Sequence, residues 1–101
     1  MAKYTSITTA SLPTVLATRG DNLNNITSIL ISNTHGSSAA SVDLYIQDSS
    51  NNTFYLIKNT SIPVGASLVL TNNVQFNNSS NGYSLVAQIS SGSIDVHIKQ
   101  N

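Results

Sequence analysis

The sequence predicts a single all-β domain, a sandwich or barrel of short antiparallel strands, on three observations. Short alternating or continuous apolar runs, bounded by Asn, Gly and Ser clusters, recur about every ten residues, which is the spacing of such folds. Helix formers are scarce, with no Glu and one Met, whereas β-branched residues abound. The chain of 101 residues has the length of one domain and can bury roughly two-thirds of its unfolded surface without staples, and it carries no cysteine.

Residues 1–13 are apolar only at Tyr4, Ile7 and Leu12 among their larger internal side chains, and read as an edge strand or an N-terminal arm. Residues 14–101 read as the sandwich proper. Thr14 to Ala17 is expected as a strand, partnered across the turn Thr18–Asn25 by a strand from Ile26 to Asn33 with Ile29 and Ile31 on one face. The clearest unit is Ser41 to Lys58. Val42, Leu44 and Ile46 alternate with polar or aromatic residues, Asp48 to Asn52 turns, and Thr53 to Lys58 returns. Simple alternation sets Ile46 against Phe54 and Leu44 against Leu56 on the inner face. It sets Tyr45 against Tyr55 and Asp43 against Ile57 outside.

Ile62-Pro63-Val64-Gly65 is a turn into a strand at Ser67 to Leu70, followed by a further short run from Val74 to Phe76. Asn77 to Gly82 is a loop whose Asn81-Gly82 step suits positive φ. The chain ends on an expected second hairpin. Leu85, Ala87 and Ile89 point inward, Ser90 to Ser93 turns, and Ile94, Val96 and Ile98 return on the same face. The total is seven or eight strands.

Charge narrows the function. Only 8% of residues are charged, the formal net charge is zero, and 40 residues are Ser, Thr or Asn. Average domains carry about 25% charged residues. A neutral, hydroxyl- and amide-rich surface has no electrostatic reach toward nucleic acid or anionic lipid, and little protection against self-association. No apolar run is long enough for a signal peptide or a membrane span, so synthesis and retention in a cytoplasm are expected, with no membrane partner.

The chemical motifs have ordinary explanations. Arg19-Gly20-Asp21 spells an integrin-binding tripeptide but is also plain turn chemistry. The Asn-x-Ser/Thr triplets at Asn25, Asn51, Asn59, Asn77 and Asn78 follow from composition. His35 and His97 lack ligand spacing, so no metal or other cofactor is expected. Without a GxSxG step, a phosphate-binding glycine loop or a carboxylate pair in a cleft, no enzyme is expected. Tyr45 and Tyr55, facing one another outside with Ile57 and Asp43 alongside, stand out instead as an anchor cluster, because tyrosine is enriched in interface cores. Tyr4 and Ile7 would anchor the N-terminal segment on a neighbouring subunit.

The succession Ile31-Ser32-Asn33-Thr34, Ala40 to Ile46, Phe54 to Asn59, Ile62-Pro63-Val64-Gly65 and Ser67 to Leu70 resembles small virion structural proteins of tailed bacteriophages, notably phages of marine bacteria and cyanobacteria, over about residues 14–99. The resemblance implies an Ig-like antiparallel β-sandwich serving as a capsid decoration or cement subunit, or as a neck or tail component. It implies partners among the major capsid or neck and tail proteins, sister copies in a homo-oligomer, and residence in the virion after synthesis in the host cytoplasm. The alternative is a carbohydrate-binding or adhesin module using Tyr45, Tyr55 and Asp43.

Overall fold

A computed structural model describes residues 2–23 and 25–100. Among these residues the chain has no helix, hence none long and apolar enough to cross a membrane. It forms eight strands: β1 (Ala2–Ile7), β2 (Thr14–Ala17), β3 (Asn25–Asn33), β4 (Ala40–Gln47), β5 (Thr53–Ile62), β6 (Ser67–Gln75), β7 (Ser84–Ser91) and β8 (Ile94–Gln100). They make two four-stranded antiparallel sheets, sheet I in the order β1-β8-β3-β6 and sheet II in the order β2-β7-β4-β5.

The antiparallel sandwich expected from sequence is present, with eight strands. Its strand order is that of a jelly roll rather than of immunoglobulin domains, in which the first strand pairs with the second. Here β1 pairs with β8, β2 with β7, β3 with β6 and β4 with β5. The chain is one long ribbon, doubled at the β4–β5 turn and then folded over so that β8 also joins β3 and β7 joins β4.

The alternation legible in sequence positions the core. Ile29, Ile31, Ile94, Val96 and Ile98 of sheet I meet Val42, Leu44, Leu85, Ala87 and Ile89 of sheet II, and each of these side chains is almost fully buried. Burial of apolar surface contributes about 25 cal/mol per Å², so this layer is what holds the two sheets together.

Two expected pairings are corrected. β7 and β8 are not a hairpin, because they lie in opposite sheets. Their inward residues are as expected, yet they face each other across the core instead of along a ladder. Gly92 and Ser93 carry the chain over that corner. Gly92 has φ +76°, and a Cβ there would press on the Ala39 carbonyl at 3.0 Å, so the corner needs glycine. Likewise β2 and β3 are in different sheets, so they do not pair, and the chain crosses from one sheet to the other after β2.

The β4–β5 hairpin is present, but its register slips. Ile46 lies opposite Phe54 and Tyr45 opposite Tyr55, as alternation requires. Beyond them Leu44 faces Ile57 and Val42 faces Thr60, because β5 holds an extra residue at each of two irregularities. One residue of slip sends a side chain to the other face. Ile57, expected outside, is therefore buried at 8% exposure, while Leu56, expected in the core, is 43% exposed. Asn59, at φ +52°, sits in the second bulge, where its N–H donates to Asp43 Oδ1 at 2.7 Å.

The turn of this hairpin hangs on Asp48. Its Oδ1 accepts from the Ser50 and Asn52 N–H groups, both at 2.9 Å, and its Oδ2 accepts from Asn52 Nδ2 at 2.9 Å. The Asn52 side-chain bond, then the backbone bonds, lower the Asp48 pKa from its ordinary value. Asp21 is lowered too, first by the Thr18 N–H and next by Lys3. Both carboxylates thus titrate lower folded than unfolded. Their stabilisation is complete above the unfolded value, about 4, and is lost as pH falls through the folded one. We expect the thermal midpoint followed by circular dichroism to be insensitive to these two groups between pH 5 and 7 (roughly one unit and more above that value) and to fall below it. Asp48→Ala should unfold earlier at neutral pH and show a shallower acid decline. An unchanged acid slope would contradict the assignment.

Candidate functional site

Register places the outer-face residues of each sheet in straight rows across the strands, and each face carries one row rich in apolar side chains. On sheet II the row is Val15–Val86–Tyr45–Tyr55, running through β2, β7, β4 and β5. The two tyrosine rings are 5.2 Å apart and tilted by 51°, and Lys58 Nζ lies 4.1 Å above the Tyr55 ring. Val15 and Tyr55 at the ends are exposed at 52% and 46%, whereas Val86 and Tyr45 in the middle are buried. Burial, then the neighbouring Tyr55 and Asp43, push the Tyr45 hydroxyl up from its ordinary pKa.

Three polar neighbours of this row are hydrogen-bonded within the domain. Gln47 Nε2 donates to Thr53 Oγ1 at 3.3 Å, the Arg19 guanidinium donates to the Gln47 carbonyl at 3.3 Å, and Asp43 holds the Asn59 N–H. Of the sequence-expected cluster, the structure brings Tyr45, Tyr55 and Asp43 together on one side of the sheet and removes Ile57 to the core. Phe54 is half-exposed at the sandwich margin, edge-on to Tyr83 at 5.9 Å.

On sheet I the row is Tyr4–His97–Leu30–Val69, through β1, β8, β3 and β6. Tyr4 and Val69 are exposed at 71% and 53%, and the Tyr4 ring meets His97 edge-on at 4.9 Å. Ile7 is corrected. Expected as a surface anchor of the N-terminal segment, it is 3% exposed and packs in the core, because β1 lies along β8 as an edge strand. The adjacent row is Ser6–Asp95–Ser32–Ser67. Ser6 Oγ donates to Asp95 Oδ1 at 2.6 Å, and Ser32 and Ser67 share a hydroxyl bond of 3.0 Å. Tyr4, Thr5, Ser6, Asp95 and His97 line a hollow of about 130 Å³.

This hollow gathers a serine, an aspartate and a histidine that sequence reasoning treated separately. Their bonding is not that of a hydrolytic relay, in which the imidazole stands between hydroxyl and carboxylate. Here the hydroxyl is bonded to the carboxylate, and the imidazole is turned to the Tyr4 ring. Among the described residues no three His or acidic side chains gather as a metal-binding group.

No protein-family model matches the chain, and no curated protein is significantly similar to it in sequence. The surface chemistry therefore stands on its own geometry.

The remaining motifs are structural. Arg19-Gly20-Asp21 is tied down through Arg19 to Gln47 and Ser84, and through Asp21 to Thr18 and Lys3. His35 Nδ1 accepts from the Ser37 and Ser38 N–H groups and shapes its own loop. Gly82 does not adopt positive φ; a side chain there would instead collide with the Asn77 carbonyl. Sequence reasoning missed Asn78. It is completely buried and its amide joins the 18–23 crossover to the 77–83 loop. A lone asparagine in an Asn- and Ser-rich run leaves no periodic signal by which to find it.

Proposed function

We propose that this chain is a non-enzymatic structural subunit of a bacteriophage particle, a capsid decoration or cement protein, that docks through the outer face of sheet II. The observation that carries this reading is the Val15–Val86–Tyr45–Tyr55 row, an apolar path across all four strands that is exposed at Val15 and Tyr55 and bordered by Gln47 and Asp43, each of which already holds a hydrogen bond within the domain. Tyrosines on such a face supply large rigid contacts to a partner. The jelly roll supports the reading by analogy, since viral capsid and lectin domains use it, although a fold alone assigns no function. The low charge fits a subunit surrounded by neighbours, in which many weak contacts act together.

Purified particles stained with an antibody to the chain should be labelled at regular positions, and the Tyr45→Ser/Tyr55→Ser double variant should be lost from them. Folding of that variant is checked by circular dichroism. Particles without label, or a folded double variant incorporated at wild-type level, would overturn the proposal. The alternative, a saccharide site on Tyr45, Tyr55 and Asp43, is disfavoured by the 7% exposure of Tyr45, which leaves little ring face for a sugar to stack on.

A further inference from the structure

We infer that the hollow between β1 and β8 on the outer face of sheet I binds a neutral pyranose sugar, with the Tyr4 ring as its stacking platform and Asp95 and His97 as its hydroxyl-recognising groups. The site is on the opposite side of the sandwich from the proposed docking face and does not depend on it.

The hollow on sheet I is lined by groups that can still bond a ligand: among the described residues, Asp95 Oδ2 and both ring nitrogens of His97 have no hydrogen-bond partner. An apolar protein surface laid over this hollow would take those groups out of water with nothing in exchange, which is costly. The suitable occupant is amphipathic on a small scale, with a flat apolar side and a rim of hydroxyls. A pyranose has that form, since its axial C–H bonds make one face and its hydroxyls project around the edge.

The geometry matches group by group. Tyr4 is 71% exposed, and its T-shaped contact with His97 holds the two rings nearly perpendicular. Ser6 donates to Asp95 Oδ1, which fixes the carboxylate and leaves Oδ2 to accept from a sugar hydroxyl. His97, directly across from Tyr4, supplies a ring donor or acceptor for the adjacent hydroxyl. The lining holds one carboxylate and no Lys or Arg, which selects neutral sugars over acidic ones. The hollow is small and open, about 130 Å³, so it would cup one face of a single ring. All of these groups are brought together by the pairing of β1 with β8, the first and last strands.

The test is a set of ¹H–¹⁵N NMR titrations of the whole chain with glucose, galactose, mannose, N-acetylglucosamine and, as the acidic control, glucuronic acid. At least one neutral sugar should bind in the millimolar range and shift amides of residues 3–6 and 95–98. Tyr4→Ala should weaken it about tenfold, and Tyr4→Phe should leave it nearly unchanged. Tyr55→Ala, on the other face, should have no effect. Tyr4 is a surface residue, so its variants are expected to fold, and their spectra report this directly. The inference is overturned if none of the neutral sugars shifts these amides at up to about 50 mM, if Tyr4→Ala binds as well as wild type, or if glucuronic acid binds equally. It is overturned as well if the same amides move on simple dilution without sugar, which would make the face a contact between copies. Failure here leaves the particle-labelling result untouched, and the reverse holds too.

Discussion

Asn78→Ala is expected to destabilise the fold by about 3 kcal/mol, lowering the thermal midpoint by on the order of 15 °C. The Asn78 amide is buried and two-sided. Its Oδ1 accepts from the Leu23 N–H at 2.9 Å, while its Nδ2 donates to the carbonyls of Thr18 at 3.1 Å and Tyr83 at 2.7 Å. Truncation leaves those backbone groups facing a void, and an unpaired buried donor or acceptor costs about 1–3 kcal/mol. The Asn78 carbonyl, which accepts from Gly20 and Asn22, remains in the variant, so the crossover is loosened rather than released. Asn77→Ala is the control. That side chain is exposed and accepts only the local Ser79 N–H at 3.0 Å among the described residues, so its loss should cost less than about 1 kcal/mol. Urea or thermal unfolding of the two variants side by side checks the difference. Equal effects would mean that Asn78 does not hold the two loops together.

Ile57→Ala is expected to cost about 2–3 kcal/mol and Leu56→Ala less than about 1 kcal/mol. The contrast follows from one bulge. Ile57 is 8% exposed and belongs to the core cluster, whereas Leu56 is the additional residue between the Tyr45–Tyr55 and Leu44–Ile57 pairs and is 43% exposed. Unbroken alternation along Phe54, Tyr55, Leu56 and Ile57 would give the opposite ranking. Unfolding free energies of the two alanine variants, measured by urea denaturation, decide between the registers. A larger loss at Leu56 than at Ile57 would remove the bulge from the account.

This pair of residues also marks how far the sequence can be read. Period-two patterning depends only on a strand's own residues, so the inward sides of β3, β4, β7 and β8 were legible: Ile29 and Ile31, Val42 and Leu44, Leu85 to Ile89, Ile94 to Ile98. Bulges depend on the partner strand, and the Phe54–Lys58 run carries no glycine or proline to signal one. Pairing between distant strands is written nowhere locally. Leu85 and Ile94 both point inward whether their strands lie side by side or in opposite sheets, and the short Ser90 to Ser93 link suits a hairpin turn as well as a corner. The same blindness hid the Tyr4–His97 hollow, whose two halves are separated by nearly the full chain. Tyr45 and Tyr55 could be paired from sequence because their hairpin is local and the first pairs precede the bulge.

The doubled ribbon has a consequence for biosynthesis. β1 is a sheet edge paired with β8, so during synthesis it has no mate until β8 has been made. At about 5–20 residues per second, translation of the residues between the two strands keeps β1 waiting for roughly 5–20 s. For that interval its backbone donors are open to other chains, and the protein has almost no charge with which to repel them. Low temperature or chaperone-rich hosts should accordingly raise the yield of soluble protein more than they do for a sandwich closed by local hairpins.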